Sequence, residues 1–401
     1  MNWQRFLPSV LAFAAACSTP TSSAQTSGAD SGTQADALLS QDSSTAADQT
    51  GGDSADAAQT QPDAAAGQDT ASPQDTSGKG DIAVGPPCDC KLVFTHIDLN
   101  ANAVKIMQSM PDGTGATTLQ ENAILSSQPA GGRYVAMVGS PKAPSMRVMT
   151  LGGQLVAQVS AAGDAPIFGT VSADGKRVAW TRRLSDMSND TELAVVNLDT
   201  SKSVTVKSMP SWETRPAFSP DGKWLVWYGA DGKLHMADGS GNNDNVVLAD
   251  ISDDNDFRNG LSWSQDSKRL ALTVLFNGAN SNISLFDVGA AQTVALTSGP
   301  VRHQGPVFGY GDEVIYFTDF TADKSATIRR VSVQGGASEA VTDGTGYDVL
   351  PQPSPDGRYV AYARWTDQDN LGELRVFNVQ TGAIQVVDTN VFNRAYWVAG
   401  L

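Results

Sequence analysis

A short apolar triplet repeats seven times through the last three quarters of the chain. The triplets occupy residues 92–94, 135–137, 178–180, 225–227, 270–272, 315–317 and 360–362. The steps between them are 43, 43, 47, 45, 45 and 45 residues, which is too regular a spacing for chance. A period of this length is typical of repeat architectures in which each repeat is one supersecondary unit.

A turn signal precedes most of the triplets. It reads Ser-Ala-Asp-Gly-Lys at residues 172–176, Ser-Pro-Asp-Gly-Lys at 219–223 and Ser-Pro-Asp-Gly-Arg at 354–358, with degraded versions at 264–268 and 131–133. Proline presets φ for a turn, aspartate bonds its own backbone, and glycine accepts a positive φ. The signal therefore predicts a tight hairpin between the first and second strands of each repeat.

Each triplet is followed by a second stretch of alternating apolar and polar residues, which predicts another strand. These stretches lie at 104–107, 146–149, 193–197, 234–238, 283–287, 328–331 and 374–378. A short turn and a last strand, such as 246–248 or 384–387, complete the repeat. Four short strands in about 45 residues are typical of one β-propeller blade, and no amphipathic helical stretch of convincing length follows residue 91.

The Ser-Pro-Asp-Gly-Lys motif before an apolar strand resembles the PD40, TolB-like branch of the WD40-like propellers. The resemblance covers about residues 91–401 and bears on fold far more than on function. The first repeat starts at its second strand, and residues 393–398 look like a lone innermost strand. We therefore expect an all-β, seven-bladed β-propeller of four-stranded antiparallel blades, closed by the C-terminal strand, over residues 88–401.

The N-terminus has the pattern of an export signal. One positive charge, Arg5, precedes a short apolar stretch that ends in small residues just before Cys17, so residues 1–16 are predicted to be a signal peptide. Cys17 resembles the lipidated cysteine of the bacterial lipoprotein box, although Ala14 stands where leucine is usual. The alternative is ordinary cleavage after Ala16 or Ala24. By the resemblance, Ser18 after the cysteine indicates the outer membrane, so the expected location is the cell envelope.

Residues 17–87 are predicted to be a lipidated, disordered linker rich in Asp, Ser, Thr and Ala. Residues 18–87 contain no aromatic residue, ten Asp and one Lys, Lys79, and they carry a net charge of −9 out of −16 for the whole chain. Such a segment cannot bury enough apolar surface to offset its ordering entropy. Weak cation or cell-wall binding is the alternative to a plain spacer.

Composition excludes several functions. The chain has 43 acidic and 27 basic residues, which argues against nucleic acid as a partner. Three cysteines exclude a disulfide scaffold, but Cys88 and Cys90 could form a disulfide, pair with another chain or stay reduced. The histidines fall in repeats one, four and six with no metal-ligand spacing, so no metal or cofactor is expected. The acidic clusters at 253–256 and 367–370 suit Ca²⁺ or, more simply, exposed turns.

Non-repeating residues at the start of each innermost strand are the candidate ligand-binding residues. In a propeller these positions lie at one mouth of the central channel, a common binding location. The alternative is a solvated polar rim that binds nothing. The candidates are Asp164, Glu213, Arg215, Arg258, Arg302, His303, Asp348 and Arg394.

The sequence thus predicts a lipid-anchored, monomeric β-propeller that acts as a non-catalytic protein- or peptide-binding module at the cell envelope. Its expected partners are an envelope protein or peptide, and the membrane through Cys17. Catalytic residues are not assigned, because the chain contains no Gly-x-Ser-x-Gly and no Walker loop. The alternative is a propeller lyase or hydrolase acting on polysaccharide or a small molecule, with His303 beside Glu213, Asp164 and Asp348.

Overall fold

The computed structural model of the protein describes most of the chain from Ala83 to Ala399. The described residues are 83–101, 103–140, 143–161, 163–184, 190–206, 210, 215–248, 260–276, 280–322, 325–365 and 371–399. The predicted signal peptide, Cys17 and both acidic clusters therefore lie outside the described residues. Of the predicted linker, only residues 83–87 are described. None of the described segments is a helix long and apolar enough to cross a membrane.

The described secondary structure is β throughout, apart from one short 3-10 turn at Tyr310–Asp312. The first strands are β1 Cys90–Asp98, β2 Ala103–Ser109, β3 Thr117–Glu121, β4 Ala123–Leu125, β5 Arg133–Ser140, β6 Ala143–Thr150, β7 Leu155–Gln158, β8 Ala165–Val171, β9 Arg177–Arg183, β10 Thr191–Asn197, β11 Ser203–Thr205, β12 Ala217–Phe218, β13 Trp224–Tyr228 and β14 Leu234–Asp238. The remaining strands are β15 Asn245–Leu248, β16 Leu261–Trp263, β17 Arg269–Phe276, β18 Asn280–Asp287, β19 Gln292–Ala295, β20 His303–Phe308, β21 Val314–Ala322, β22 Ser325–Ser332, β23 Glu339–Ala340, β24 Tyr347–Pro353, β25 Tyr359–Trp365, β26 Leu371–Asn378 and β27 Ile384–Ala399.

Sixteen of these strands form four separate four-stranded antiparallel sheets. The sheets are β4 to β7, β8 to β11, β12 to β15 and β16 to β19, and in each the strands pair in chain order. The second strand of each sheet carries one of the predicted apolar triplets. The expectation of all-β structure built from four-stranded antiparallel units is confirmed for these sheets.

The other strands are joined in one larger sheet by two links. One link is a single parallel bridge between Ala326 in β22 and Tyr347 in β24. The other is the long strand β27, which pairs with β26 through residues 384–392 and with β1 through residues 391–399. The last described strand of the chain is therefore hydrogen-bonded to the first.

The core lies between sheets, because both faces of each second strand are buried. Leu92 and Phe94 belong to one apolar cluster with Ala361 of β25, whereas Val93 between them belongs to another with Tyr134 of β5. Successive side chains of a strand point to opposite faces. A run of three apolar residues thus packs a sheet against both of its neighbours, which explains why the triplets are continuous rather than alternating.

The predicted hairpin turns are confirmed, and their side chains bond as the sequence indicates. In the turn at 219–223, the Ser219 hydroxyl donates to Asp221 Oδ1 at 2.7 Å and accepts from the N–H of Trp224 at 3.0 Å. The N–H of Lys223 donates to the same carboxylate at 3.0 Å, and Gly222 has a φ of +68°. Equivalent bonds hold the turns that begin at 172, 264 and 354.

The segment before β1 is tied to the last of these turns. The N–H of Gly85 donates to the Asp356 carbonyl at 2.8 Å, and the N–H of Cys88 donates to Asp356 Oδ2 at 3.1 Å. Arg358 Nη2 donates to the carbonyl of Gly85 at 3.2 Å. Cys88 is joined to Cys90 by a disulfide. Gly85 falls within the predicted linker, so the packed structure begins before residue 88.

Asp221 gives the turn a pH dependence that can be measured. Burial disfavours its charge, but the hydrogen bonds from Ser219 and Lys223 outweigh that effect and lower the pKa of Asp221 to about 2. An unfolded aspartate has a pKa of about 3.9. The stability that ionised Asp221 contributes is therefore present above about pH 4 and is lost as the pH falls towards 2.

We expect Asp221→Asn to lower the free energy of unfolding by about 1 kcal/mol at pH 7 and to flatten its decline between about pH 4 and 2. Urea unfolding at several pH values measures both effects. Asp199→Asn is the control, since the Asp199 carboxylate accepts no hydrogen bond from the described residues. If the free energy of unfolding of Asp221→Asn falls between about pH 4 and 2 as steeply as that of the native protein, the stabilising role of ionised Asp221 is contradicted.

Candidate functional site

A cavity of about 450 Å³ lies where the first strands of the sheets converge. Seven separate stretches of the chain line this central cavity, each from a first strand or the residues beside it. One representative of each stretch is Pro129, Thr170, Ala217, Leu261, Val307, Gln352 and Arg394. The lining is mixed, with aromatic side chains such as Trp263 and Tyr396 beside polar and charged ones.

A smaller pocket of about 120 Å³ adjoins the central cavity. Arg215 and Arg394 both line it, and we call it the arginine pocket. Thr170, Arg394 and Tyr396 line both spaces, so the two are continuous. Arg215 stands just before β12 and the turn at 219–223 follows that strand, so the pocket lies at the starts of the first strands and the turns lie at their ends.

Arg215 is held in place by a backbone carbonyl and an aromatic ring. Its Nη1 donates to the carbonyl of Ser126 at 3.2 Å, and its guanidinium carbon lies 4.3 Å from the centre of the Phe168 ring. That distance suits a cation–π interaction, which orients the cation without neutralising it. The Nε atom of Arg215 is shielded from solvent and has no hydrogen-bond partner in the described structure.

Arg394 is the least satisfied cation in the described part of the chain. Its Nε and Nη2 atoms are both shielded from solvent without a partner, and no other described arginine has two such atoms. Burial and the nearby charge of Arg215 lower the pKa of Arg394 to about 10, although Tyr396 opposes this shift. The side chain keeps partial exposure where it lines the cavities, and it remains charged at neutral pH.

Arg215 and Arg394 lack the carboxylate partner that seven other described arginines have. Within the described ranges, neither Arg215 nor Arg394 lies within 4.0 Å of a carboxylate oxygen. Seven other arginines do, namely Arg177, Arg182, Arg329, Arg330, Arg358, Arg364 and Arg375. The arginine pocket therefore presents two charges that the described protein does not neutralise.

Comparison with solved structures gives the fold. The β-propeller domain of the Trilobed protease from Pyrococcus furiosus superimposes with a TM-score of 0.53 at 12% identity, covering 77% of this chain and 95% of that one. The chain is a β-propeller. TolB from Acinetobacter baumannii aligns with a TM-score of 0.49 at 17% identity, covering 74% of this chain and 79% of that one.

Comparison of sequences adds little about function. An uncharacterized protein of Agrobacterium fabrum is 24% identical in an alignment 242 residues long that covers 50% of this chain and 81% of that protein. No protein-family model matches the chain.

Two of the predicted ligand-binding aspartates instead form ion pairs within single sheets. Asp348 is completely buried, and Arg364 donates to its two oxygens from Nε at 2.5 Å and Nη2 at 2.7 Å. Asp164 accepts from Arg182, which also contacts Glu192. In both cases the partner arginine comes from the adjacent second strand of the same sheet.

His303 and Arg302 are also engaged elsewhere in the propeller. His303 is buried, with Nδ1 3.0 Å from Thr297 Oγ1 and Nε2 3.7 Å from Asp319 Oδ1, and burial lowers the pKa of its imidazole. The guanidinium of Arg302 lies 5.1 Å from the centre of the Phe320 ring.

The structure thus brings together only two of the predicted ligand-binding residues in these spaces. Arg215 and Arg394 line the arginine pocket, whereas Asp164, Arg302, His303 and Asp348 line neither that pocket nor the central cavity in the described structure. Glu213 and Arg258 lie outside the described residues. That all eight residues lie at one channel mouth and bind a ligand there stays a prediction.

The other two histidines have carboxylate partners of their own. His96 Nδ1 lies 3.0 Å from Asp388, and this hydrogen bond raises the pKa of the imidazole. His235 lies between Asp231 at 2.9 Å and Asp244 at 3.2 Å. Within the described ranges, no group of three or more His, Cys, Asp and Glu side chains is arranged to hold a metal ion.

Sequence reasoning missed the uncharged part of the pocket. Phe168, Tyr228 and Ser126 line it, but Phe168 and Tyr228 lie in strands whose repeating pattern indicates framework, and Ser126 directly follows the strand β4. The sequence could have identified Tyr396. It lies two residues after Arg394 in a strand, and residues two apart in a strand share a face.

We expect Asp348→Ala to destabilise the propeller by about 3–5 kcal/mol, since it leaves Arg364 without its buried partner. Thermal and urea unfolding measure the loss. Asp343→Ala is the matched control, because Asp343 also contacts Arg364 but its side chain is 60% exposed, and we expect a change within about 0.5 kcal/mol. Equal effects of the two substitutions would refute a structural role for Asp348.

Proposed function

We propose that this protein is a non-catalytic module that binds a protein or peptide at the cell envelope through the channel of its propeller. The observation that carries the proposal is the pair of arginines in the arginine pocket without a carboxylate partner. Arginine and large aromatic side chains are the residue types that dominate binding hot spots, and Tyr396, Trp263 and Phe168 line the same continuous space.

The enzyme alternative is less well supported. It assigns acid–base roles to His303, Glu213, Asp164 and Asp348, of which Glu213 lies outside the described residues. In the structure His303 lies beside Thr297 and Asp319, and each aspartate is paired with an arginine inside its own sheet. These contacts give the three residues a structural explanation.

The proposed architecture is seven blades closed by β27. Its support is that each group of four strands shares an apolar cluster with the next, and the last group shares one with the first. The shared clusters contain Val93 with Tyr134, Val135 with Val178, Ala179 with Leu225, Val226 with Leu270, Ala271 with Ile315, Tyr316 with Val360, and Ala361 with Leu92. A ring of seven such contacts leaves no apolar sheet face exposed between blades.

The proposed anchoring keeps residues 1–16 as signal peptide, Cys17 as the lipid attachment site and the acidic linker as a spacer. Gly85 and Cys88 are bonded at the turn that contains Asp356, and the turns lie at the ends of the first strands. The arginine pocket lies at the starts of those strands. A monomer tethered from the turn side would present the pocket to an envelope partner on the other side.

We expect a photo-crosslinking residue at Gln128, which lines both spaces, to capture a specific envelope protein when the full chain is expressed in its own cell envelope. The matched control is the same residue at Val294, which is 60% exposed on an outer strand. Arg215→Ala combined with Arg394→Ala should lower the yield from position 128 at least about tenfold. Identical products from both positions, or none from position 128, would contradict channel binding.

Removal of residues 391–401 tests the proposed closure. Tyr396, Trp397 and Val398 are buried, and Trp397 Nε1 donates to the Gln352 carbonyl at 2.8 Å. We expect the truncated chain to lose cooperative thermal unfolding or to melt more than about 10 °C lower. Val294→Thr on the exposed outer strand serves as the control. A cooperative transition at an unchanged temperature would show that closure does not hold the ring.

A further inference from the structure

We infer that the arginine pocket is a preformed carboxylate-binding site, in which Arg394 holds both oxygens of a carboxylate and Arg215 supplies a second positive charge. The inference rests on the proposed function and gives the chemistry of the group that the ligand must insert. Both residues line a pocket of about 120 Å³, whereas one water needs only about 10–15 Å³ of such space. The pocket has room for a small anionic group.

The unpartnered atoms of Arg394 identify the class of anion. Nε–H and one Nη2–H lie parallel on one edge of a guanidinium, and this fork matches the two oxygens of a carboxylate. Both of these nitrogens are unpartnered in Arg394. The unsatisfied donors therefore form the complete bidentate edge, rather than a random subset of the guanidinium.

The same propeller shows how this edge is used when a carboxylate is present. Arg364 donates from Nε and Nη2 to the two oxygens of Asp348, and Arg330 donates from the same two atoms to one oxygen of Glu339, at 3.0 Å and 2.6 Å. Arg394 has the same edge, but no carboxylate of the described residues reaches it. The pattern predicts that a ligand supplies the missing acid.

The energetics favour an external anion. Leaving a buried charge without a partner is strongly unfavourable, and a second cation in the same pocket adds repulsion. Phe168 and the Ser126 carbonyl hold Arg215 in the pocket although neither removes its charge. The fold therefore maintains two charges that one carboxylate would stabilise together, as expected of a site organised before its ligand arrives.

Acetate titration of the full chain labelled with ¹⁵N-arginine tests the site directly. We expect the Nε–H signals of Arg394 and Arg215 to shift in a saturable way with a Kd in the millimolar range, and Arg330, already paired, to stay unmoved. Sodium chloride at the same ionic strength is the reference. No shift, or equal shifts for all arginines that sodium chloride reproduces, would overturn the inference.

Substitution of Arg394 separates the effect of its bidentate edge from the effect of its positive charge. Arg394→Lys keeps the positive charge but loses the bidentate edge, so acetate affinity should fall at least tenfold, while Arg330→Gln should leave it unchanged. An unchanged affinity in Arg394→Lys would overturn the assignment of the edge. If that variant does not fold, the titration of the native chain decides alone. Tighter binding of inorganic phosphate than of acetate would overturn the choice of a carboxylate.

Three peptides distinguish where the carboxylate comes from. A hexa-alanine with a free C-terminus, its amide, and an amidated peptide with one internal glutamate are compared by competition with acetate. Binding of the free acid alone indicates a chain terminus, binding of the glutamate peptide indicates a side chain, and equal binding of the amide overturns the inference.

The two proposals fail separately. If acetate binds but position 128 captures no envelope partner, the proposed function is contradicted and the carboxylate site is still supported. If position 128 captures an envelope partner equally well in the native chain and in Arg394→Lys, and acetate does not bind, the carboxylate site is contradicted and the proposed function is not.

Discussion

The whole structure depends on burying each second strand on both of its faces. In β13 the side chains of Leu225 and Trp227 pack towards the preceding sheet and that of Val226 packs towards the following one. Packing against one sheet alone cannot bury such a strand, because one of its apolar faces would remain in water. The sheets therefore have to stand face to face, and the seven shared clusters leave their first strands converging on a central cavity.

This arrangement separates the residues that build the fold from those that are free to bind. The apolar triplets recur in all seven repeats and the serine–aspartate turns in four of them, because both build the framework. The residues at the starts of the first strands belong neither to the triplets nor to the turns. They can therefore differ from blade to blade. Arg215 and Arg394 lie at such positions, and a charge without a partner persists there because the surrounding packing does not depend on it.

The fold was readable from the sequence because its causes are local and repeated. A period near 45 residues, a turn of fixed chemistry and a continuous apolar triplet each have one structural explanation. The site was only partly readable. Alignment of the first strands found Arg215 and Arg394, but it also selected Asp348 and His303, whose partners, Arg364 and Thr297, come from elsewhere in the chain. Sequence spacing cannot tell a carboxylate that faces a channel from one that pairs with the next strand.

The most direct test of this account is a crystal structure of the full chain grown with acetate. The account predicts a carboxylate in the arginine pocket, with one oxygen within hydrogen-bond distance of Nε and the other of Nη2 of Arg394, and with Arg215 still stacked on Phe168. An Arg394 edge that is instead bonded to a carboxylate of the protein itself, with the pocket closed around it, would contradict the claim that this propeller keeps two arginines ready for a ligand.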